Sequence, residues 1–223
     1  TDFTSGYTQK RESGRPLFLV SAGDRGLAGG YNANIFKLAR SEMDGKDAAV
    51  IAVGKKACEH YGHGEVPLTA AYPNIAEHMD ISAAAEIAEL ILSQYRSGEI
   101  SEIYLLFTQF VSALTQTPAV LKILPLSFEG ENDLPGRREQ VIYEPSAEAV
   151  FDRIVPQYIA GMILGAVVES YAAEQGARRT AMESANDNAQ EMIADLSLRY
   201  NRARQGAITQ EITEIVSGAQ SAQ

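Results

Sequence analysis

AMESANDNAQEMIADLSLRYNRARQGAITQEITEIVSGA, residues 181–219, closes a run that begins at Pro156 and reads as one helix without a break. With Met182 as the first core position, Ala185, Ala189, Met192, Leu196, Ala203 and Ala207 follow at spacings of three, four and multiples of seven. Ile208, Ile212, Ile215 and Val216 carry the apolar stripe to the end. Spacings of three and four kept over several heptads suit a coiled-coil seam better than one face of a globular domain. Between these positions lie Arg179, Glu183, Asp187, Glu191, Asp195, Arg199, Arg202, Arg204, Glu211 and Glu214, a solvated face of mixed sign. At a rise of about 1.5 Å per residue the run would reach roughly 90 Å, several times the width of a small domain. Many of the core positions are Ala, which lets two helix axes approach closely but buries little area per turn. Gly161, Gly165, Gly176 and Gly206 weaken the helix by up to about 1 kcal/mol each. Packing alone cannot hold such a helix in isolation, so the stripe predicts a partner.

Upstream of this run, Glu144-Pro145-Ser146 restarts helical structure, with Ser146, Ala147 and Glu148 as a helix N-terminus. Pro156 is expected in the first turn of the long helix, where a missing N–H costs nothing. Glu129 to Gln140, rich in Gly, Asn, Pro and charge, reads as a mobile loop. Before it, strand-like and helix-like segments alternate. Pro16–Ala22 has strand character and Asn32 or Asn34 caps a helix bearing Ile35, Phe36, Leu38 and Ala39. Ala48–Val53 is a buried-type strand, Lys55–Tyr61 a short helix and Val66–Ala71 a further strand. Asp80–Gln94 places Ile81, Ala84, Ala85, Ala88 and Ile91 on one helical face and is stopped by Gly98. Ile100–Phe110 is the strongest strand signal, and Pro118–Phe128 pairs with it as an antiparallel edge.

This alternation predicts an α/β fold with a Rossmann-like, mostly parallel sheet and flanking helices, followed by the very long C-terminal helix. The expected division is a polar, poorly ordered lead-in at 1–15, an α/β body at 16–145 and a helical segment at 146–223.

The 223 residues are 45% hydrophobic and 22% charged, a globular composition. A net charge of -10 argues against bulk attraction to nucleic acid or an anionic membrane surface, and Arg137-Arg138 and Arg178-Arg179 are too short to form a basic patch. A single cysteine, Cys58, excludes an internal disulfide. The longest apolar run, Tyr158–Val168, falls short of the roughly 20 residues of a spanning helix, so no direct membrane insertion is expected. Gly161-x-x-x-Gly165 inside it marks close packing against a neighbouring helix.

Few residues suggest chemistry. The Gly-rich turn from Ser21 to Asn32 follows a strand and precedes a helix, a place where phosphate can be cradled. It has neither Gly-Lys-Ser/Thr nor Gly-x-Gly-x-x-Gly, and Asp24-Arg25 would pair locally instead. Cys58, His60 and His63 lack a fourth ligand nearby, so no metal site is expected. His78, beside Glu77 and Asp80, reads as a surface histidine. No nucleophile motif is present. The chain is expected to be no enzyme by itself and to carry no cofactor.

Two segments, however, are specific. Ala177-Arg178-Arg179-Thr180-Ala181-Met182-Glu183-Ser184-Ala185-Asn186-Asp187-Asn188-Ala189 resembles the signature of the F-type ATP synthase gamma subunit, with Ala181, Met182, Ala185, Asn188 and Ala189 as its marker positions. The stretch from Tyr200 to Ala219 resembles the end of that family almost residue for residue. The turn Asp24, Arg25, Gly26, Leu27, Ala28, Gly29, Gly30 with Asn32 resembles the family's first strand-to-helix turn; Gly23 stands where the family usually has Ser. The resemblance spans the chain in order and is loosest between Glu65 and Ser146.

The resemblance implies a central rotor shaft whose C-terminal helix forms half of an antiparallel coiled coil. Its partner would be an N-terminal helix that this sequence lacks, so a truncated chain is expected. Implied partners are the alpha and beta subunits of the head, the epsilon subunit and the membrane c-ring. The implied location is peripheral, on the cytoplasmic face of a bacterial plasma membrane. By the same resemblance Arg204, Gln205 and Thr209, with Glu211, contact the beta subunits. A competing reading is a stand-alone α/β domain that binds a small ligand at the Gly-rich turn and dimerises through its tail.

Overall fold

The computed structural model describes residues 6–9, 11, 13–126, 144 and 146–221. The strands are β1 (Arg15–Ser21), β2 (Ala49–Val53), β3 (Leu68–Tyr72), β4 (Ile100–Phe110) and β5 (Gln116–Leu124). The helices are α1 (Tyr31–Met43), α2 (Lys55–Tyr61), α3 (Ile81–Ser97) and α4 (Ala147–Ser221). The sheet order is β3-β2-β1-β4-β5. The pairs β1–β2, β1–β4 and β2–β3 run parallel, and β4–β5 is antiparallel.

Because successive strand residues point to opposite faces, the near-continuous apolar strands feed two cores. Leu17, Leu19, Ile51, Val53 and Leu105 pack on one face with Ile87 and Ile91 of α3 and Ile159 and Ile163 of α4. Phe18, Val20, Val50, Ala52 and Leu106 pack on the other with Ile35 and Ala39 of α1 and Ala57 of α2. Asp80 caps α3 by accepting from the Ala83 N–H at 2.8 Å, and Gly98 ends that helix in the left-handed region at φ 86. A Cβ is tolerated poorly there, which is why a glycine stops the helix.

Two expectations are corrected. Neither Asn32 nor Asn34 caps α1: the N-cap is Gly30, without a side-chain hydrogen bond, and the Asn32 Oδ1 accepts from the Gly23 N–H at 2.9 Å instead. Pro156 is not in a first turn. Helix α4 starts at Ala147, where Ser146 Oγ accepts from the Ala149 N–H at 3.2 Å, and Pro156 lies inside it. An interior proline forfeits one backbone hydrogen bond, a cost of about 3 kcal/mol. Val155 and Ile159 on either side are buried against the sheet and hold the helix through it. Two residues ahead of β1 pack on the body. Tyr7 is buried, its carbonyl accepts from the Leu126 N–H at 2.8 Å, and Arg11 lies 4.4 Å over the Tyr95 ring. The loop expected at Glu129–Gln140 falls outside the described residues.

The chain divides into two compact units, residues 1–180 and 181–223. The first therefore extends beyond the expected body, because α4 up to Thr180 packs on the sheet. In the second, the apolar side chains are exposed, from Met182 at 42% to Ile215 at 71%. By length and composition α4 could cross a membrane, with a third of the qualifying stretch buried. Within the first unit that apolar character is used by Val155, Ile159, Ile163 and Val167, which face the core.

Candidate functional site

The Gly-rich turn is built around one carboxylate. Asp24 accepts from three backbone N–H groups in two segments: Lys55 at 2.8 Å, Asn74 at 2.9 Å and Ala76 at 3.1 Å. These bonds tie the end of β1 to the start of α2 and to the segment after β3. Gly54, at φ 92, makes the approach possible, since a Cβ there would lie 2.1 Å from the Ala22 carbonyl oxygen. Arg25 does not pair with its neighbour. It reaches Glu77 at 2.7 Å, fifty-two positions away. Asp24 holds the N–H of Lys55 at the start of α2 and sets a carboxylate beside the turn. A phosphate placed at this turn would meet a negative charge.

The remaining residues of the turn face α4. Ala28 and Tyr31 are buried with Ala173. The Tyr31 hydroxyl donates to the Ser170 carbonyl at 2.9 Å, and burial pushes its pKa upward, so it stays a donor. Glu174 is only 2% exposed and packs over Gly23, where a Cβ would approach its carboxyl carbon to 2.8 Å. Arg178 pairs with Glu174 and also donates to the Gly26 carbonyl from Nε and Nη2, each at 3.2 Å. Gly29, at φ 55, and Gly30 complete the turn into α1.

Of the residues singled out in the sequence, the structure joins Asp24, Gly26 and Asn32 into this one network and places Arg25 at its rim. Sequence reading did not identify Ser170 or Glu174. The available signal was a Glu-x-x-x-Arg pair, 174 and 178, running into the signature.

In the second unit, Arg204, Gln205, Thr209 and Glu211 are all exposed, as are Met182, Ala185, Asn188 and Ala189. Ala181 is half-buried. The Thr209 hydroxyl donates to the Gln205 carbonyl at 2.8 Å, and that of Thr213 to the Thr209 carbonyl at 2.8 Å. Arg204 lies four residues from both Tyr200 and Ile208, so it interrupts an apolar ridge with a fixed positive charge. Each of these groups offers water-facing donors or acceptors, suited to binding a partner rather than to bond-making.

The Cys58 thiol lies 3.6 Å from the Ala52 carbonyl, and burial raises its pKa. The His60 ring stacks on Phe36 at 4.1 Å, and burial lowers its pKa. Among the described residues no three His, Cys, Asp or Glu side chains converge to hold a metal ion.

Comparison with known proteins gives one answer. A family model described as ATP synthase matches residues 2–222. The ATP synthase gamma chain of Ruminococcus albus is 47% identical over 223 residues, which cover 98% of this chain and 77% of that one. A protein of Acetobacterium woodii named ATP synthase gamma chain, sodium ion specific, is 39% identical and is matched over 96% of this chain and 77% of its own. The fold is similar to a chain of the Euglena gracilis mitochondrial ATP synthase OSCP/F1/c-ring structure, with a TM-score of 0.70 at 21% identity, covering 94% and 73% of the two chains. It is also similar to a chain of the Tetrahymena thermophila mitochondrial ATP synthase central stalk, with a TM-score of 0.63 at 20% identity and 80% coverage of both.

Proposed function

The chain belongs to the ATP synthase gamma-chain family and is a central-stalk rotor subunit; from that premise we propose how its surfaces divide the work. The second unit supplies the part that works inside the head of alpha and beta subunits. There Arg204, Gln205, Thr209 and Glu211 meet the catalytic beta subunits. The α/β unit belongs to the foot, where the epsilon subunit and the c-ring would bind. In this reading the chain performs no bond chemistry itself and lies at the cytoplasmic face of the membrane as part of the complex.

The observation that carries the proposal is the exposed apolar stripe of the second unit. A helix with Met192, Leu196, Ile208, Ile212 and Ile215 in water is stable only when something else covers them. Turning an asymmetric helix inside a ring of subunits favours the open state of one catalytic subunit and the closed state of another. Such a shift can be no larger than the difference between the contacts made in each state.

The ligand-binding alternative is disfavoured by the Asp24 carboxylate, a negative charge set in the turn and committed to Lys55, Asn74 and Ala76. The test is to assemble the chain with its alpha and beta subunits and measure ATP hydrolysis. Association, with activity lowered by Arg204→Ala or Gln205→Ala, supports the assignment. Association with activity unchanged by both would remove those two residues from the contact, and no association at all would remove the head from the partners.

A further inference from the structure

About three successive turns of α4 are gripped differently from the rest of its packed length. From Val155 to Val167 the contacts are apolar side chains against the sheet. From Glu169 to Thr180 polar, directional contacts join the apolar ones of Ala173, and they come from two sides. On one side stands the Gly-rich turn, with the Tyr31 hydroxyl on the Ser170 carbonyl and Arg178 on the Gly26 carbonyl. On the other stands the β4–β5 hairpin. There the Thr108 N–H donates to Ser170 Oγ at 2.8 Å, the Phe110 N–H to Glu169 Oε1 at 3.2 Å, and the Thr180 hydroxyl to the Ala113 carbonyl at 3.2 Å. Two glycines allow the grip to close. Gly23 makes room for the buried Glu174 carboxylate, and a Cβ at Gly176 would press to 3.1 Å from Phe110 Cε2.

We propose that this polar clasp, Ser170, Glu174 and Arg178 held between the Gly-rich turn and the β4–β5 hairpin, is the joint that carries torque between the α/β body and α4. The proposal rests on the rotor function above. Apolar ridges in grooves resist separation but have neighbouring registers one turn apart, so a helix can shift past them. Hydrogen bonds to fixed carbonyls fail when the helix turns about its own axis, because their strength falls steeply with angle. The Glu174–Arg178 pair lies within α4 and fixes the guanidinium that donates across to the Gly26 carbonyl, while the Glu174 carboxylate is packed over Gly23. The clasp thus resists twisting where the apolar packing resists pulling away. Ser170, Glu174 and Arg178 act as positioning residues.

The test uses the membrane-reconstituted complex and reads ATP-driven ion pumping, by a pH-sensitive dye and by sodium uptake, against ATP hydrolysis. In Ser170→Ala/Arg178→Met the pumping per ATP hydrolysed should fall roughly five-fold while hydrolysis itself is kept, the factor expected from losing polar contacts of ordinary strength. A second chain carries Ala113→Cys and Thr180→Cys with Cys58→Ser, and is oxidised to link hairpin and helix. Because the joint is static during rotation, the link should leave pumping unchanged in the otherwise unaltered chain. It should also restore the pumping ratio when added to the weakened clasp, and reduction should abolish that rescue. A wild-type ratio in the weakened clasp, or loss of pumping on linking the unaltered chain, would overturn the joint. If the unaltered chain assembles but supports no pumping, it is the rotor assignment that fails.

Discussion

The two parts of α4 share a helical sequence pattern and meet opposite surroundings. Between residues 147 and 180 the apolar positions Val155, Ile159, Ile163 and Val167 are buried on the sheet of their own chain. Between residues 181 and 221 the equivalent residues are exposed, Ile212 at 57% among them. Helix propensity and periodicity are alike in the two, so neither explains the contrast. The source of the covering surface does. In the first region the chain covers itself and the helix is part of a domain core. In the second, stability has to come from another surface, and it will vary with whether that surface is present.

The contrast is most sharply tested by the same substitution in both regions. Ile163→Ala empties a fully buried site between α4 and the sheet and should cost about 2–5 kcal/mol of unfolding free energy. Ile212→Ala removes a side chain that faces water and should change the isolated chain by less than about 0.5 kcal/mol. Urea denaturation followed by circular dichroism measures both. Equal losses would mean that the second region is packed in solution. Hydrogen exchange gives the companion result: amides beyond Met182 should exchange far faster than those of β4, which lies inside the sheet.

Glycines sharpen the comparison next. Gly54→Ala should cost about 3 kcal/mol or more, since φ 92 is strained for alanine and the new Cβ would lie 2.1 Å from the Ala22 carbonyl oxygen. The thermal midpoint of the first unit should fall while the helical signal of residues 181–221 is little altered. A fall in both together would show that the two units unfold as one.

Alkali should act on the first region alone. Tyr61 and Tyr104 are pushed up to about 12, mainly by burial and, for Tyr104, also by its hydrogen bond to Glu102. Unfolded tyrosines lose their protons near pH 10, so in the window between about 10 and 12 the unfolded chain ionises and the native one does not. The stabilisation is intact below the lower value and is lost as pH rises through the window. A denaturant midpoint that stays flat from pH 9 to 11 would contradict that burial.

How far the sequence could be read follows the same division. The strand and helix order was legible because strands buried on both faces are continuous apolar runs. Lys55–Tyr61 and Ile100–Phe110 have the bounds expected of them. Local chemistry was less legible. Asn32 looked like a helix cap because of its type and place, yet its side chain serves Gly23, nine residues back. Pro156 looked like a helix start, but a proline inside a helix is tolerated where neighbours such as Val155 and Ile159 are buried on a sheet, and burial is a tertiary fact. Glu174 was invisible for a related reason. A glutamate on a long helix is ordinarily solvated, and only the turn brought against it from a distance of some 150 positions makes it a core residue. The family motifs compensated for this where they were long, at 177–189 and 200–219.

The smallest expected effect has the opposite sign. Gly206 lies in the second region, with nothing within 4 Å of the position a Cβ would take. Gly206→Ala meets no clash, and alanine exceeds glycine in helix propensity by about 1 kcal/mol, so the helicity of residues 181–221 should rise in the isolated chain. Gly176 has equally helical surroundings, but there the same change presses on Phe110 of the hairpin and should destabilise. Circular dichroism at low denaturant separates the two. If Gly206→Ala lowered helicity, that glycine would be under a close approach by another surface even in the isolated chain. In the assembled rotor the gain at Gly206 should shrink or reverse, because a neighbour seated there would meet the added methyl group. The sign of one methyl group, read before and after assembly, therefore reports whether this face is covered.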